Sequence, residues 1–317
     1  MTGTEPSVLP TRPVVGLHHI ALAALEPARA EHYYTATVGC QPWAAAAELG
    51  LPGCAATLSS PNAGLVLLQA DTAAPAVRRP VNEAGIAHLC LQTPDIAGVV
   101  GRMQALGAQL HSEPIDLGTG FLYCYARDPE FNVVEVECVA PVWADPRPWI
   151  AHANIVTPDL PRLANFYSSF LAAAAVRSPR LRNDPRLDAI ADLPAVQVRA
   201  AWLDADNVQI ELMQYLQPAT GSDTGRRTAG APGFAHLAFE VSGLTAACDH
   251  LLACGGQLDS APVTGAWQAW GADPDGNRLL LLDLQSPARE SLRIAAMADP
   301  RITHRFAAAR AALMASA

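Results

Sequence analysis

Hydrophobic and polar positions alternate in short runs along this chain: LVLLQ at 65–69, FLYCYA at 121–126, VQVRAAWL at 196–203 and NVQIELMQ at 207–214. Alternation with a period of two, interrupted by Gly and Pro, predicts half-buried strands. Longer segments combine one such strand with a helix. In GLHHIALAALEPARAEHYY (16–34) and WIAHANIVTPDLPRLANFY (149–167), a strand carrying a histidine is followed seven positions on by an acidic residue. An amphipathic helix bearing an aromatic pair, Tyr33-Tyr34 or Phe166-Tyr167, comes next. In GIAHLCLQTPDIAGVVGRMQALGAQL (85–110) and GFAHLAFEVSGLTAACDHLLACGGQL (233–258), strand, turn and helix end in Gly-Ala-Gln-Leu or Gly-Gly-Gln-Leu. Gly107 and Gly255 there read as helix C-caps.

The pattern therefore predicts an α+β chain of four strand–helix–strands units, starting near residues 15, 84, 149 and 232. Pro- and Arg-rich PVWADPRPW (141–149) reads as the seam between halves, with linkers at 71–84 and 217–232. The expected organisation is an N-terminal arm (1–14), a first domain of two units (15–140), a second of two units (149–285) and a helical tail (286–317). The tail is expected to pack on the surface or in a homodimer contact.

Composition narrows the class. At 317 residues, half of them hydrophobic and 16% charged, the chain can bury the cores of about two domains. A net charge of −9 argues against nucleic acid or an acidic membrane as partner. No apolar run approaches the roughly 20 residues of a spanning helix, and the opening MTGTEPSVLPTRPVVG lacks a signal-peptide core. The seven cysteines are scattered singly with no CxxC, which suggests reduced thiols in a cytoplasmic protein.

Candidate chemistry sits in the repeats. Each unit begins with a histidine at the same strand position: His19, His88, His152 and His236. One such histidine is ordinarily structural; four at equivalent places suggest descent from a metal-binding ancestor. A turn and strand also recur, as DPEFNVVEVE from residue 128 and DPDGNRLLLLD from residue 273. The first carries Glu135 where the second carries Leu280.

The set HHIAL, GIAHLCL, AHANIV and GFAHLAF, with DPEFNVVEVE and DPDGN, resembles the vicinal oxygen chelate superfamily over residues 15–285. That superfamily includes glyoxalase I, methylmalonyl-CoA epimerase, fosfomycin and bleomycin resistance proteins and extradiol dioxygenases. The resemblance implies βαβββ units paired into two cupped domains, with one ligand on a unit's first strand and one on its last. The first-strand slots hold the four histidines. The last-strand slots hold Val66 or Leu67, Glu135, Glu211 and Leu280. If the second and third units face each other, His88, Glu135, His152 and Glu211 share one cavity, and His19 and His236 are left among leucines. If each half closes on itself, the sets are His19, His88, Glu135 and His152, His236, Glu211. The crossed arrangement accounts more economically for the loss of both carboxylates from one cavity.

The resemblance then implies a divalent cofactor (Zn, Ni, Co, Mn or Fe(II)) and a small-molecule substrate with vicinal oxygens. The leading expectation is a metal-dependent lyase or isomerase of glyoxalase type, with Glu135 and Glu211 as proton-handling groups. An Fe(II) extradiol-type dioxygenase is the alternative. Tyr125 ahead of Asp128-Pro129 matches part of that signature, but its upstream histidine is absent and Phe131 stands where Gly or Pro belongs. A metal-free binding or resistance protein is the second alternative, disfavoured because uncompensated carboxylates are costly in an apolar cup.

Other features weigh less. His18 should face away from His19 by strand alternation. His32, His250 and His304 fall on helices and read as surface residues. Glu137, on the Glu135 face, reads as a rim residue, and Cys90 and Cys124 as cup wall. Arg78-Arg79 and Arg226-Arg227 read as solvated linker charge. The long stretch 177–194 suggests a lid over the crossed cavity.

Overall fold

The computed structural model describes residues 13–118, 120–139, 147–177, 181–182, 184–221, 230–297 and 299. Four βαβββ units follow one another. The first contains β1 (Val14–Ala24), α1 (Pro27–Val38), β2 (Gln41–Pro42), β3 (Cys54–Ser59) and β4 (Gly64–Gln69). The second contains β5 (Gly85–Thr93), α2 (Ile96–Ala105), β6 (Gln109–Leu110), β7 (Tyr123–Arg127) and β8 (Val133–Cys138). The third contains β9 (Trp149–Val156), α3 (Leu160–Phe170), β10 (Val176–Arg177), β11 (Leu181–Arg182), α4 (Pro185–Ala191), β12 (Gln197–Asp204) and β13 (Gln209–Gln217). The fourth contains β14 (Gly233–Val241), α5 (Leu244–Ala253), β15 (Gln257–Leu258), β16 (Gln268–Ala272) and β17 (Arg278–Asp283).

The strands form two sheets. One, of eight strands, runs β15-β16-β17-β14-β1-β4-β3-β2 and joins the first unit to the fourth. The other, of nine, runs β10-β12-β13-β9-β5-β8-β7-β6, with β11 also on β12, and joins the second unit to the third. Each sheet thus takes one unit from 15–140 and one from 149–285, and the linear halves of the chain do not coincide with the sheets. At the centre of each, two first strands pair antiparallel, β1 with β14 and β5 with β9, flanked by parallel last strands. These central strands are covered on both faces, which is why β9 (WIAHANIV) is buried at every position.

Local chemistry sets the helices. Pro27 opens α1, and Gly39 closes it in the left-handed conformation at φ 75°. Asp95 and Asp159 cap α2 and α3 by accepting from Gly98 N and Arg162 N. Gly107 and Gly255, expected as C-caps, follow the ends of α2 and α5 with φ of 92° and 94°.

The repeated Asp-Pro turns tie each half together across the sheets. Asp128 Oδ1 accepts from the backbone of Glu130 and Asn132, and Tyr34 of α1 donates its hydroxyl to Asp128 Oδ2 at 2.9 Å. In the other half Asp273 Oδ1 accepts from Asp275 and Asn277, and Tyr167 of α3 donates to Asp273 Oδ2 at 3.1 Å. A second pair of clasps joins the first and third units. The Asn62 side chain bonds Ile150 N and O on β9, while Asn207 bonds Leu17 N and O on β1. One hydrophobic core then runs through helices and sheets of all four units.

Of the expected tail, a 3-10 turn (Pro287–Leu292) and α6 (Ile294–Met297) are described, and Leu292 packs against the face of the eight-stranded sheet. The rest of the tail with His304, the arm to residue 12, seam residues 140–146 and Arg226-Arg227 lie outside the described residues. Among the described residues no helix is long and apolar enough to cross a membrane.

Candidate metal centre

All four units place their first-strand histidine and last-strand slot in the same register. His19 pairs with Gly64, two before Val66; His88 pairs with Val133, two before Glu135; His152 pairs with Gln209, two before Glu211. In the fourth unit Leu237 pairs with Leu279, one step beyond His236 and one short of Leu280. Because the period of a strand is two, the histidine and slot of each unit share a face. Antiparallel pairing of first strands then brings two such faces together.

In the nine-stranded sheet this gathers His88, Glu135, His152 and Glu211, whose ligand atoms all lie within 4.8 Å of one another. Each residue points one atom inward. His88 Nε2 stands 3.1 Å from Glu135 Oε2 and 3.5 Å from Glu211 Oε2. His152 Nε2 stands 3.0 Å from Glu135 Oε2 and 3.1 Å from Glu211 Oε2. Metal–ligand bonds of about 2.1 Å give neighbouring ligand atoms separated by about 3.0 Å in an octahedron and 3.4 Å in a tetrahedron. The observed edges match that range. Hydrogen bonding accounts for only part of them: His152 Nε2 bonds Glu135 Oε2, whereas His88 Nε2 is buried and has no partner of acceptable geometry among the described residues. The donor set of two imidazoles and two carboxylates suits a divalent ion, so the residues fit the metal that the fold implies.

The electrostatics are consistent with a cation-demanding site. All four side chains are buried, Glu135 at 6% and Glu211 at 4% exposure. Burial favours neutral groups, yet the adjacent imidazoles outweigh it and hold both carboxyls below their usual range, Glu211 the more strongly. Burial likewise favours neutral imidazole, and the two carboxylates overcome it, raising His88 and, further, His152.

The eight-stranded sheet brings its two histidines as close together, His19 Nε2 and His236 Nε2 being 3.1 Å apart. Among the described residues no carboxylate joins them in a metal-sized cluster. Val66, Leu280 and Leu282 occupy that face with Trp43 and Leu292. Burial lowers His236 to about 3 and puts His19 well below its ordinary value. His18 does not face away as alternation predicts. The pairing register slips between Leu17 and His19, and His18 is fully buried, its Nδ1 2.8 Å from His19 Nδ1. Its Nε2 donates to Leu292 O at 2.8 Å, which fixes the tautomers of all three rings as neutral links in one chain.

The other expected residues fall around the centre. Glu137 is half-buried beside Glu135, accepts from Gln92 Nε2 at 2.8 Å, and has a carboxyl pushed up by burial and by Glu135. Cys90 and Cys124 are wholly buried, and burial raises both thiols, Cys124 to about 12, which disqualifies them as nucleophiles. Tyr125 stacks obliquely on His88, with ring centroids 5.0 Å apart. Within the suggested lid stretch, Leu187 and Ile190 of α4 pack with Tyr125, Val133 and Tyr215 against this face. His32 is exposed, whereas His250 stacks on Phe170 and contacts its carbonyl at 3.2 Å, so it is an interhelix residue.

Two neighbours receive no place in the site from the sequence, where His111 lies too far upstream of Tyr125 to fit the extradiol signature. His111 connects Arg127 to the end of α4, accepting from Arg127 Nε and donating to Ile190 O. Asn154 donates Nδ2 to Glu211 Oε2 at 2.8 Å. The signal for Asn154 was present in the sequence: it lies two past His152, where the other units carry Ala21, Cys90 and Ala238.

Comparison with known proteins agrees with this architecture. The profile of the Glyoxalase/Bleomycin resistance protein/Dioxygenase superfamily matches residues 16–136 and 149–281, and the chain belongs to that superfamily. Glyoxalase I from Zea mays superposes with a TM-score of 0.59 at 18% identity, covering 84% of this chain and 92% of that one. A point mutant of the same maize enzyme gives 0.61 over the same shares, also at 18% identity. A Bacillus subtilis protein provisionally assigned as a dioxygenase gives 0.59 at 11% identity, covering 90% of this chain and 91% of that one. At these identities the likeness is one of fold. No curated protein matches the chain in sequence.

Proposed function

We propose that the protein is a metal-dependent lyase or isomerase of glyoxalase type, acting on a small molecule with neighbouring oxygens. The observation that carries this reading is the convergence of both slot carboxylates and two imidazoles on one point of one sheet. His88, Glu135, His152 and Glu211 would hold the ion, and a bound divalent ion supplies Lewis acidity toward a carbonyl and its neighbouring oxygen. The chain's own part is to manage charge and a proton. Two glutamates balance a divalent charge without help from substrate. One remains an anionic ligand while the other takes the proton from the carbon next to the carbonyl and returns it to product. Tyr125, Tyr215 and α4 lie on the same face and exclude water from one end of the cup.

Four protein ligands with two carboxylates weigh against the extradiol reading, which uses two histidines and one carboxylate. They also weigh against a metal-free binder, because the buried glutamates need compensating charge.

Metal analysis of protein purified without chelator should find about one divalent ion per chain. Solvent-deuterium exchange at the α-carbon of a hydroxy-ketone panel should require that ion, and catechols should drive no oxygen uptake. Glu211→Ala should lower metal affinity by more than about 100-fold, beyond the loss expected from removing a merely supporting group. A Glu211→Ala protein that keeps wild-type affinity, or a chelator-stripped protein that keeps full exchange activity, would sink the reading.

A further inference from the structure

The two glutamates fill equivalent slots but have unequal neighbours. In each unit the residue two past the histidine lies directly beside the glutamate in the parallel register: Cys90 pairs with Glu135, and Asn154 with Glu211. The chain therefore offers the same position twice, once as a thiol and once as an amide. Asn154 is fully buried. Its contact with Glu211 Oε2 fixes the orientation of the amide, since a carboxylate oxygen accepts and only the nitrogen donates. That same Oε2 is the atom facing both site histidines. The other end of the amide, Oδ1, is buried without a hydrogen-bond partner among the described residues. A buried amide oxygen is costly to leave unpaired, and being an acceptor it calls for a donor.

Glu135 has no amide anchor among the described residues; its Oε2 is bonded by His152 Nε2 at 3.0 Å, itself one of the proposed ligands. Cys90 is a weak donor, and the next side chain on its face is the Glu137 carboxylate, with the three ligand atoms within 4.8 Å of one another. Gln92, the amide nearest this trio, is already committed to Glu137.

We propose that Asn154 is a positioning residue that makes the two glutamates inequivalent. It fixes Glu211 as the permanent ligand and leaves Glu135 as the one free to swing off the ion. This inference rests on the metal-centred reading above and deepens it.

Co2+ titration followed by visible absorption tests it on the full chain. Asn154→Ala should lower Co2+ affinity by about 10- to 100-fold and shift the ligand-field bands, whereas Cys90→Ala should change affinity by less than about threefold. Cys90→Asn should tighten Co2+ binding by anchoring Glu135, and should slow turnover while leaving the Michaelis constant unchanged. Equal losses in the two alanine variants, or none in Asn154→Ala, overturn the inference while leaving the metal reading intact. Wild-type protein that binds no Co2+ overturns both. Should Asn154→Ala fail to fold by circular dichroism, Cys90→Asn decides alone, and unchanged affinity and turnover there overturn the inference.

Discussion

Two sheets in this molecule share strand order, register and a pair of facing histidines, yet among the described residues one alone gathers carboxylates around its histidines. In the nine-stranded sheet the slots opposite the histidines are Glu135 and Glu211, and the histidines are held above their ordinary pKa. In the eight-stranded sheet the slots are Val66 and Leu280, the face is filled by Trp43, Leu282 and Leu292, and the histidines are pushed far down. Backbone geometry alone therefore does not make a metal centre. The scaffold brings two imidazole rings to similar separations in both places, 5.2 and 5.6 Å, and the pair of carboxylates is what would let one pair face a cation rather than one another.

The comparison can be broken most forcefully by restoring the missing charge. Val66→Glu combined with Leu280→Glu puts two carboxylates among leucines, and without metal should cost several kcal/mol, as unpaired buried charges do. Added Co2+ or Zn2+ should then recover most of that loss, because His19 and His236 already converge, and should raise the bound metal from about one ion per chain to about two. Thermal unfolding with and without metal, beside metal content, provides the check. A doubly substituted protein that folds but gains no stability from metal would show that the two cups differ in shape as well as in charge.

Much of this contrast was legible in the sequence, and the reasons are physical. Strand periodicity fixes which residues share a face, so Glu135 and Glu211 could be assigned to slots once the four units were aligned. The crossed pairing of units was legible only indirectly, through the economy of losing both carboxylates from one cavity. Other features depended on irregularity. His18 was misjudged because a slip in register at Leu17–His19 defeats strict alternation. The Asn62 and Asn207 clasps join residues 88 and 190 positions from their partners and leave no local pattern. The short helix α4 arises inside a Pro- and Arg-rich stretch that reads as loop, and its Asp184 cap accepts from Arg186 N.

Acid should separate the sheets next. His236 and His18, lowered to about 3 and about 4, have folded values below the unfolded value near 6.5. Their contribution to stability is therefore complete above pH 6.5 and is lost as pH falls toward 4, since the unfolded chain takes up protons that the folded chain refuses. In metal-free protein His88 and His152 have the opposite sign, their contribution being present below pH 6.5 and lost as pH rises through their elevated values. One buried neutral histidine accounts for about 2 kcal/mol of lost stability at pH 5. His236→Leu should accordingly be less stable than wild type at pH 7.5, where His19 Nε2 loses its donor, and should lose about 2 kcal/mol less than wild type between pH 7.5 and 5. Urea denaturation at the two pH values measures the difference, and parallel losses in both proteins would show that His236 does not titrate as its surroundings dictate.

The smallest expected effect probes what the halves share. Tyr34 to Asp128 and Tyr167 to Asp273 are the same clamp built twice, with distances of 2.9 and 3.1 Å and hydroxyls buried against carboxylates. In each clamp the aspartate also receives an asparagine side chain, Asn132 or Asn277, so loss of the tyrosine hydroxyl does not leave the carboxylate bare. Tyr34→Phe and Tyr167→Phe should therefore each cost about 1 to 1.5 kcal/mol, near the net value of one hydrogen bond, and the double substitution should be additive. Neither should alter metal affinity, because the clamps hold helix to turn on the side away from the four ligands. If Tyr34→Phe alone weakened metal binding, the clamp on the Glu135 side would be setting the register of β8, and the symmetry between halves would end there.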